Sequence, residues 1–234
     1  MNVPSLIQSP CSSGAITAFT TTETDGDMML PAERAAFLRA AGLDPSRILV
    51  HKQVHGDEVA VIDSEEAFSC QAALPFPQKA DGWVLSLKNA GVAVYTADCV
   101  PLLIRDEAGS VLGLAHCGWR GVSARLPLKL ARMVSERTSS PLSAYLAPHI
   151  HDCCFEFGPE ARGFFREENI LNRGGRLYVD LSAEILSQLA EAGIPGASVS
   201  VSSHCTCCSV SPRFHSWRRD KTVRGILTVA CINK

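Results

Sequence analysis

Residues 82–117 read GWVLSLKNAGVAVYTADCVPLLIRDEAGSVLGLAHC. Four short apolar runs fill this stretch: Trp83–Leu87, Val92–Ala97, Val100–Arg105 and Val111–Cys117. Gly91 and Asp106-Glu107-Ala108-Gly109 punctuate them, which is the pattern of strands separated by turns. Because the runs are apolar almost throughout, with little polar alternation, they predict strands buried on both faces. Working outward, Ala15–Thr21 reads as a strand and Pro31–Ala41 as a helix, with proline in its first turn and Gly42 just past its end. Ile48–Val54 and Glu58–Ile62 read as strands around Gly56-Asp57, and the polar stretch Ser64–Lys79 reads as a loop. Downstream, Ser123–Arg137 reads as a helix, Ala144–Ile150 as a strand, and Pro159–Glu168 and Ser182–Ala192 as helices, the last capped by Asp180 and stopped by Gly193. Val199–Ser203 and Ile226–Ile232 close the series as strands. Strands crowd the centre and helices are interspersed irregularly, which predicts layered α+β architecture and not a regular βαβ array.

Composition narrows the function. The chain has 234 residues, 46% hydrophobic and 20% charged, with a formal net charge of −2 from 22 basic and 24 acidic residues. This is the make-up of a globular protein, with no electrostatic footprint for nucleic acid or an anionic membrane. No apolar run approaches the ~20 residues that span a bilayer. The N-terminus shows no basic region followed by an apolar core, so an export signal is not expected and the expected location is cytoplasmic. The first 14 residues are rich in Ser and Pro and are expected to be poorly ordered, ahead of a single domain over residues 15–234. In a reducing compartment, the ten cysteines are read as buried thiols, metal ligands or catalytic groups.

Three segments place a reactive side chain at a strand end beside a residue that permits a sharp backbone change: Gln53-Val54-His55-Gly56, Thr96-Ala97-Asp98-Cys99, and Ala115-His116-Cys117-Gly118-Trp119-Arg120-Gly121. One thiolate and two imidazoles suit Zn²⁺, and three protein ligands leave a fourth position open. The alternative is three unrelated side chains at strand ends, because the spacing from 55 to 99 and from 99 to 116 matches no zinc-finger pattern. Cys117 is a second candidate for the thiolate, but on a strand only one of His116 and Cys117 can face a common site.

These segments resemble the three signature segments of the YfiH family. The resemblance continues through Ala147-Pro148-His149-Ile150, Cys154-Phe155-Glu156-Phe157-Gly158, Asp180-Leu181, Cys205-Thr206, Phe214-His215-Ser216-Trp217-Arg218-Arg219-Asp220 and Arg224-Gly225, covering about residues 15–232. It implies a layered α/β/β/α sandwich with mixed sheets in one domain. It also implies one Zn²⁺ held by His55, Cys99 and His116. Family members carry the labels multicopper polyphenol oxidase (laccase domain), peptidoglycan editing factor and zinc-dependent purine nucleoside phosphorylase. The activity implied is phosphorolysis of adenosine, inosine, guanosine and methylthioadenosine, with deamination of adenosine beside it. The sequence departs from the family pattern at Phe19-Thr20-Thr21-Thr22, where an Arg is usual at position 22. It departs also at Cys117, where Ala is usual, and at Ala147-Pro148-His149, where Gly-Pro-Cys is usual.

Around the ligands, Arg120 is the first candidate for a phosphate contact, since a guanidinium binds phosphate in a bidentate fork; Arg218 and Arg219 follow. Asp98 is read either as orienting a ligand histidine or as capping a turn. Gln53 faces the same way as His55 and is a candidate contact for base or ribose. Trp119 and Phe214 are read as stacking platforms or as core. His149, His151 and His204 are read as proton carriers or as local hydrogen-bonders. Cys205-Thr206-Cys207-Cys208 and Cys153-Cys154 raise the question of a second metal or a disulfide, against which stands the absence of a partner pair nearby in sequence. Three rival functions remain open: a cysteine hydrolase or amidase using Cys99 and His116, including editing of peptidoglycan precursors; a laccase-like oxidase; and a non-catalytic binding module. Copper is disfavoured because seven histidines scattered along the chain do not suit a His-rich three-copper cluster. Oligomeric state is left open.

Overall fold

A computed structural model describes residues 6–50, 52–74 and 78–234. The parts of the expected tail, first strand pair and loop that fall on residues 1–5, 51 and 75–77 lie outside the described residues. In chain order the elements are β1 (Ile7–Gln8), β2 (Ile16–Thr20), α1 (Pro31–Ala40), β3 (Ile48–Val50), β4 (Val59–Ile62), α2 (Glu65–Ala72), β5 (Gly82–Leu85), β6 (Ala90–Thr96), β7 (Val100–Asp106) and β8 (Leu112–Cys117). There follow α3 (Trp119–Ser123), α4 (Leu126–Ser135), β9 (Leu142–Leu146), β10 (Glu156–Phe157), β11 (Ile170–Arg173), β12 (Arg176–Val179), α5 (Leu181–Glu191), β13 (Val199–Val201), α6 (Trp217–Asp220) and β14 (Ile226–Ile232).

The strands form a five-stranded sheet in the order β1-β2-β14-β6-β3, a six-stranded sheet in the order β13-β9-β7-β8-β5-β4, and a small sheet β10-β12-β11. Both large sheets are mixed: β3–β6, β4–β5 and β9–β13 run parallel, the other pairs antiparallel. Side-chain alternation builds three cores from these two sheets. On β6, Val92 and Val94 face the six-stranded sheet, where they meet Trp83, Leu85, Leu103, Leu112 and Leu114. Ala93 faces outward with Leu227 and Val229 onto Phe37 and Leu38 of α1. On β7, Val100, Leu102 and Ile104 point away from the inter-sheet core and pack on Leu126, Leu130 and Val134 of α4 and on Ile185 and Leu189 of α5. The order of layers is therefore helix, sheet, sheet, helices, which is the α/β/β/α sandwich. Both sheets are covered on each face, so the central strands need no polar alternation.

Four expectations are corrected. The stretch 64–79 contains α2: Ser64 Oγ accepts the Ala67 N–H at 3.1 Å, Glu65 and Glu66 sit at the positive end of the helix, and Phe68 drops into the inter-sheet core. The helix expected over 123–137 is two helices, α3 and α4, broken at Arg125 with φ 66°. The helix expected over 159–168 is two short 3₁₀ turns, Pro159–Gly163 and Glu167–Asn169; the backbone between them is pinned by Arg166 N–H donating to Glu184 at 2.6 Å. The strand expected over Ile48–Val54 ends at Val50. Within the first 14 residues, Ile7 and Gln8 pair with Thr20 and Phe19.

Candidate metal centre

The register of β7 and β8 pairs Val100 with Cys117 and Pro101 with His116. Cys99, one residue ahead of β7, therefore reaches the end of β8 that carries His116. Alternation on β8 sends Leu112 and Leu114 between the sheets and Cys117 to the helix side. His116 shares the inter-sheet side with Leu114, so Cys117 faces away from it and burial pushes the Cys117 thiol well above its ordinary range. His55 enters from the turn between β3 and β4, held at φ 60°, a left-handed conformation uncommon outside glycine. The ligand atoms of His55, Cys99 and His116 all lie within 4.8 Å of one another. The two imidazoles meet edge to face, with centroids 4.7 Å apart and an interplanar angle of 82°.

Two glycines make room for this convergence. A Cβ on Gly118 would lie 2.8 Å from His55 Cδ2 and 3.2 Å from Cys99 Sγ. A Cβ on Gly121 would lie 2.8 Å from the Gly56 carbonyl oxygen, so the bare backbone is what lets α3 close onto the His55 turn.

Asp81, which the sequence reading passed over, organises the site. It is fully buried just ahead of β5. Its carboxylate accepts the backbone N–H groups of Val54 at 3.1 Å, His55 at 2.9 Å and Gly56 at 2.8 Å, and lies 2.8 Å from His116 Nδ1. The only signal in the sequence is an acid set directly against an apolar strand, in Ala80-Asp81-Gly82-Trp83. Burial would raise the Asp81 pKa, but His116 and the Gly56 and Val54 N–H groups hold it below the usual carboxylate value. Burial would likewise push Cys99 up; His116 first, then His55, bring it down to about 6. Burial opposes the charged form of His116, whereas the Cys99 sulfur and Asp81 favour it and raise its pKa to about 9.

This donor set fits a divalent ion. Thiolate with imidazole is a zinc-type set with a fourth position left over. Asp81 takes the Nδ1 side of His116, which turns Nε2 toward the shared centre.

The other candidates divide. Arg120 is exposed on α3, lies 4.3 Å over the Trp119 ring and enters no ion pair among the described residues. Trp119 is half-buried, edge to face with Phe157 at 5.2 Å and Phe164 at 5.0 Å. Asp98 does not orient a histidine. Its carboxylate accepts the Thr206 hydroxyl at 2.7 Å and, in the first turn of α6, the Arg218 backbone N–H at 2.6 Å, with its own φ at 101°; the cap of α6 is Ser216. Gln53, the expected contact for base or ribose, is engaged with the fold. Both halves of its amide pair with the Tyr95 backbone at 2.7 Å, extending the β3–β6 ladder after the strand has ended. Arg218 donates to the Glu156 carbonyl at 2.9 Å and Arg219 to the Phe214 carbonyl and to Asp220, so both brace the fold. Phe214 is fully buried core. His149 is bonded through both ring nitrogens, to the Ala147 carbonyl and the Ser182 hydroxyl, and burial lowers its pKa to about 3; it is no proton carrier near neutral pH. Burial also lowers the His151 pKa. His204 packs on Phe214, with centroids 5.9 Å apart. Thr22 bonds Asp25 at 2.9 Å.

Fold and site together define a layered α+β protein with a candidate thiolate–imidazole metal centre at the ends of β7 and β8. The sequence pattern of the family described as multi-copper polyphenol oxidoreductase laccase matches residues 11–232, and the chain belongs to that family. A protein named purine nucleoside phosphorylase from Aquifex aeolicus (strain VF5) is 36% identical over 156 residues, covering 67% of this chain and 72% of the relative. A protein named adenosine deaminase RL5, from an unknown prokaryotic organism, is 29% identical over 191 residues, covering 76% of this chain and 72% of its own. The fold matches the crystal structure of the Bacillus licheniformis hypothetical protein YfiH with a TM-score of 0.83 at 24% identity, over 93% of this chain and 92% of that one. No helix among the described residues is long and apolar enough to cross a membrane.

Proposed function

We propose that this chain is a zinc-dependent purine nucleoside phosphorylase, acting in the cytoplasm on adenosine, inosine, guanosine or methylthioadenosine with phosphate as co-substrate. The observation that carries the reading is the convergence of His55, Cys99 and His116 within 4.8 Å, ordered by one buried carboxylate, in a chain whose relatives include a protein named for that activity. In the reaction the C1′–N9 bond of the nucleoside breaks, a C1′–O bond to phosphate forms, and the purine leaves with a proton. A bound ion supplies Lewis acidity at its open position. His55, Cys99 and His116 hold it, and Asp81 keeps His116 in the tautomer that can do so. Arg120, braced on Trp119 and with no acidic partner among the described residues, binds and orients phosphate through its planar fork. Deamination of adenosine at the same centre is a companion activity, in line with the relative named adenosine deaminase.

One observation favours a second reading. Asp81, His116 and Cys99 form an acid–base–thiol relay with the thiol brought to about 6, the arrangement of a cysteine hydrolase or amidase. Thiol alkylation would block such an enzyme and chelators would not.

The test is release of adenine from adenosine and phosphate by the purified protein. Cys99→Ala is expected to abolish product and remove the bound ion together. Full activity in that variant with the ion still bound at full occupancy would sink the reading.

A further inference from the structure

The sequence offers two cysteine pairs more than 50 positions apart, and the fold brings them together. The Sγ atoms of Cys153, Cys154, Cys205 and Cys208 all lie within 4.8 Å of one another, as a group separate from His55, Cys99 and His116. Cys153 stands 3.7 Å from Cys154 and 3.7 Å from Cys208. A tetrahedron of sulfurs around one Zn²⁺, with Zn–S bonds of about 2.3 Å, has edges of about 3.8 Å. We propose that these four cysteines form a second, closed metal site that binds one Zn²⁺ as a tetrathiolate.

Three further features agree. Cys205 and Cys208 have the Cys-x-x-Cys spacing of zinc-binding turns, and the isolated bridge between His149 and Cys205 aligns that turn with the 149–154 segment. The backbone N–H groups of His151, Cys207 and Cys208 point at the Cys205 sulfur, with His151 N 3.4 Å away. Donors arranged this way stabilise a thiolate. Four sulfurs this close share the space poorly as thiolates without a cation between them. Loading Zn²⁺ would replace up to four thiol protons and leave a dianionic centre.

Four protein ligands leave no open coordination position, so this site is structural. Its place in the fold says what it braces. Thr206 lies between two of the ligands and donates its hydroxyl to Asp98 Oδ1 at 2.7 Å, and Asp98 adjoins Cys99. Arg219 donates to the carbonyls of Thr206 at 3.1 Å and Cys207 at 3.0 Å. The tetrathiolate thus clamps the 149–154 and 205–208 segments beneath the loop that carries Cys99, without contributing a ligand to the first centre.

The test is zinc stoichiometry by elemental analysis on protein kept reduced and dialysed against metal-free buffer. Two zinc per chain are expected in the natural sequence, one in Cys153→Ser/Cys208→Ser and one in Cys99→Ser. A content of two that the double substitution leaves at two overturns the proposal. So does a content of one that the double substitution leaves intact and Cys99→Ser removes, an outcome that spares the phosphorylase centre. The reverse pattern, one zinc lost only in the double variant, supports this site and overturns the other. Cobalt substitution of the unaltered chain gives a readout that does not depend on variant folding. The intense visible and charge-transfer bands of tetrahedral cobalt bound by four thiolates support the proposal. Their absence from a cobalt-loaded chain, or a Cys153–Cys208 disulfide in protein kept reduced, overturns it.

Discussion

Asp81 lies 2.8 Å from His116 Nδ1 and with the same carboxylate gathers the backbone N–H groups of Val54, His55 and Gly56. One buried acid therefore sets the tautomer of one candidate ligand and the backbone of another. Asp81→Asn keeps the shape but loses the charge and leaves at least one donor poorly matched. Metal affinity is expected to fall about 10- to 100-fold, read by competition with a chromogenic chelator. Unchanged affinity would show that Asp81 does not order the ligands.

The Cys99 thiol is brought to about 6 in the metal-free chain, so it is largely thiolate above that pH, whereas an ordinary thiol needs pH near 9. After the metal is stripped, alkylation of Cys99, followed on its own peptide by mass spectrometry, should rise through a midpoint near pH 6. Adding zinc back should suppress it. A midpoint near 9 would show that the two imidazoles do not act on the sulfur.

Gly118→Ala adds a methyl group 2.8 Å from His55 and 3.2 Å from Cys99. The ring or the sulfur must give way, at a cost of about 1–3 kcal/mol. The variant is expected to stay folded by circular dichroism, melt at a lower temperature and lose metal. Retained full metal content would mean that the glycine serves packing alone.

Arg120 is exposed and packs on Trp119 without an ion pair among the described residues, so removing it should leave stability nearly unchanged. A charged hydrogen-bonding contact contributes about 1.5–3 kcal/mol. Arg120→Ala should therefore raise the KM for phosphate about 10- to 100-fold while the KM for nucleoside barely moves. Equal changes in both constants would point to general damage and not to a phosphate contact.

Much of the sandwich was legible because its central strands announce themselves. Ala90–Thr96, Val100–Asp106 and Leu112–Cys117 lie within one or two residues of the runs read from sequence, and Ile226–Ile232 coincides with its run. Burial on both faces leaves an apolar signature that local propensity does not contradict. α2 was not legible as a helix, because its polar residues outnumber the one that anchors it, Phe68. The β11–β12 hairpin was missed although Gly174-Gly175, both at positive φ, stands at its turn. At the site, the three candidate ligands could be named from residue type and resemblance. Asp81 could not, since a buried acid differs from a surface one only by partners that sit 26 positions upstream and 35 downstream. The partner of Gln53 was hidden for the same reason: its amide completes a strand ladder with Tyr95, a pairing visible only once the sheet is formed.

The most direct measurement is anomalous diffraction at the zinc absorption edge from crystals of the reduced protein. A peak is expected within bonding distance of His55, Cys99 Sγ and His116 Nε2 in the unaltered chain, and none there in Cys99→Ala. A zinc-loaded, well-ordered crystal with no density between those three side chains would contradict it.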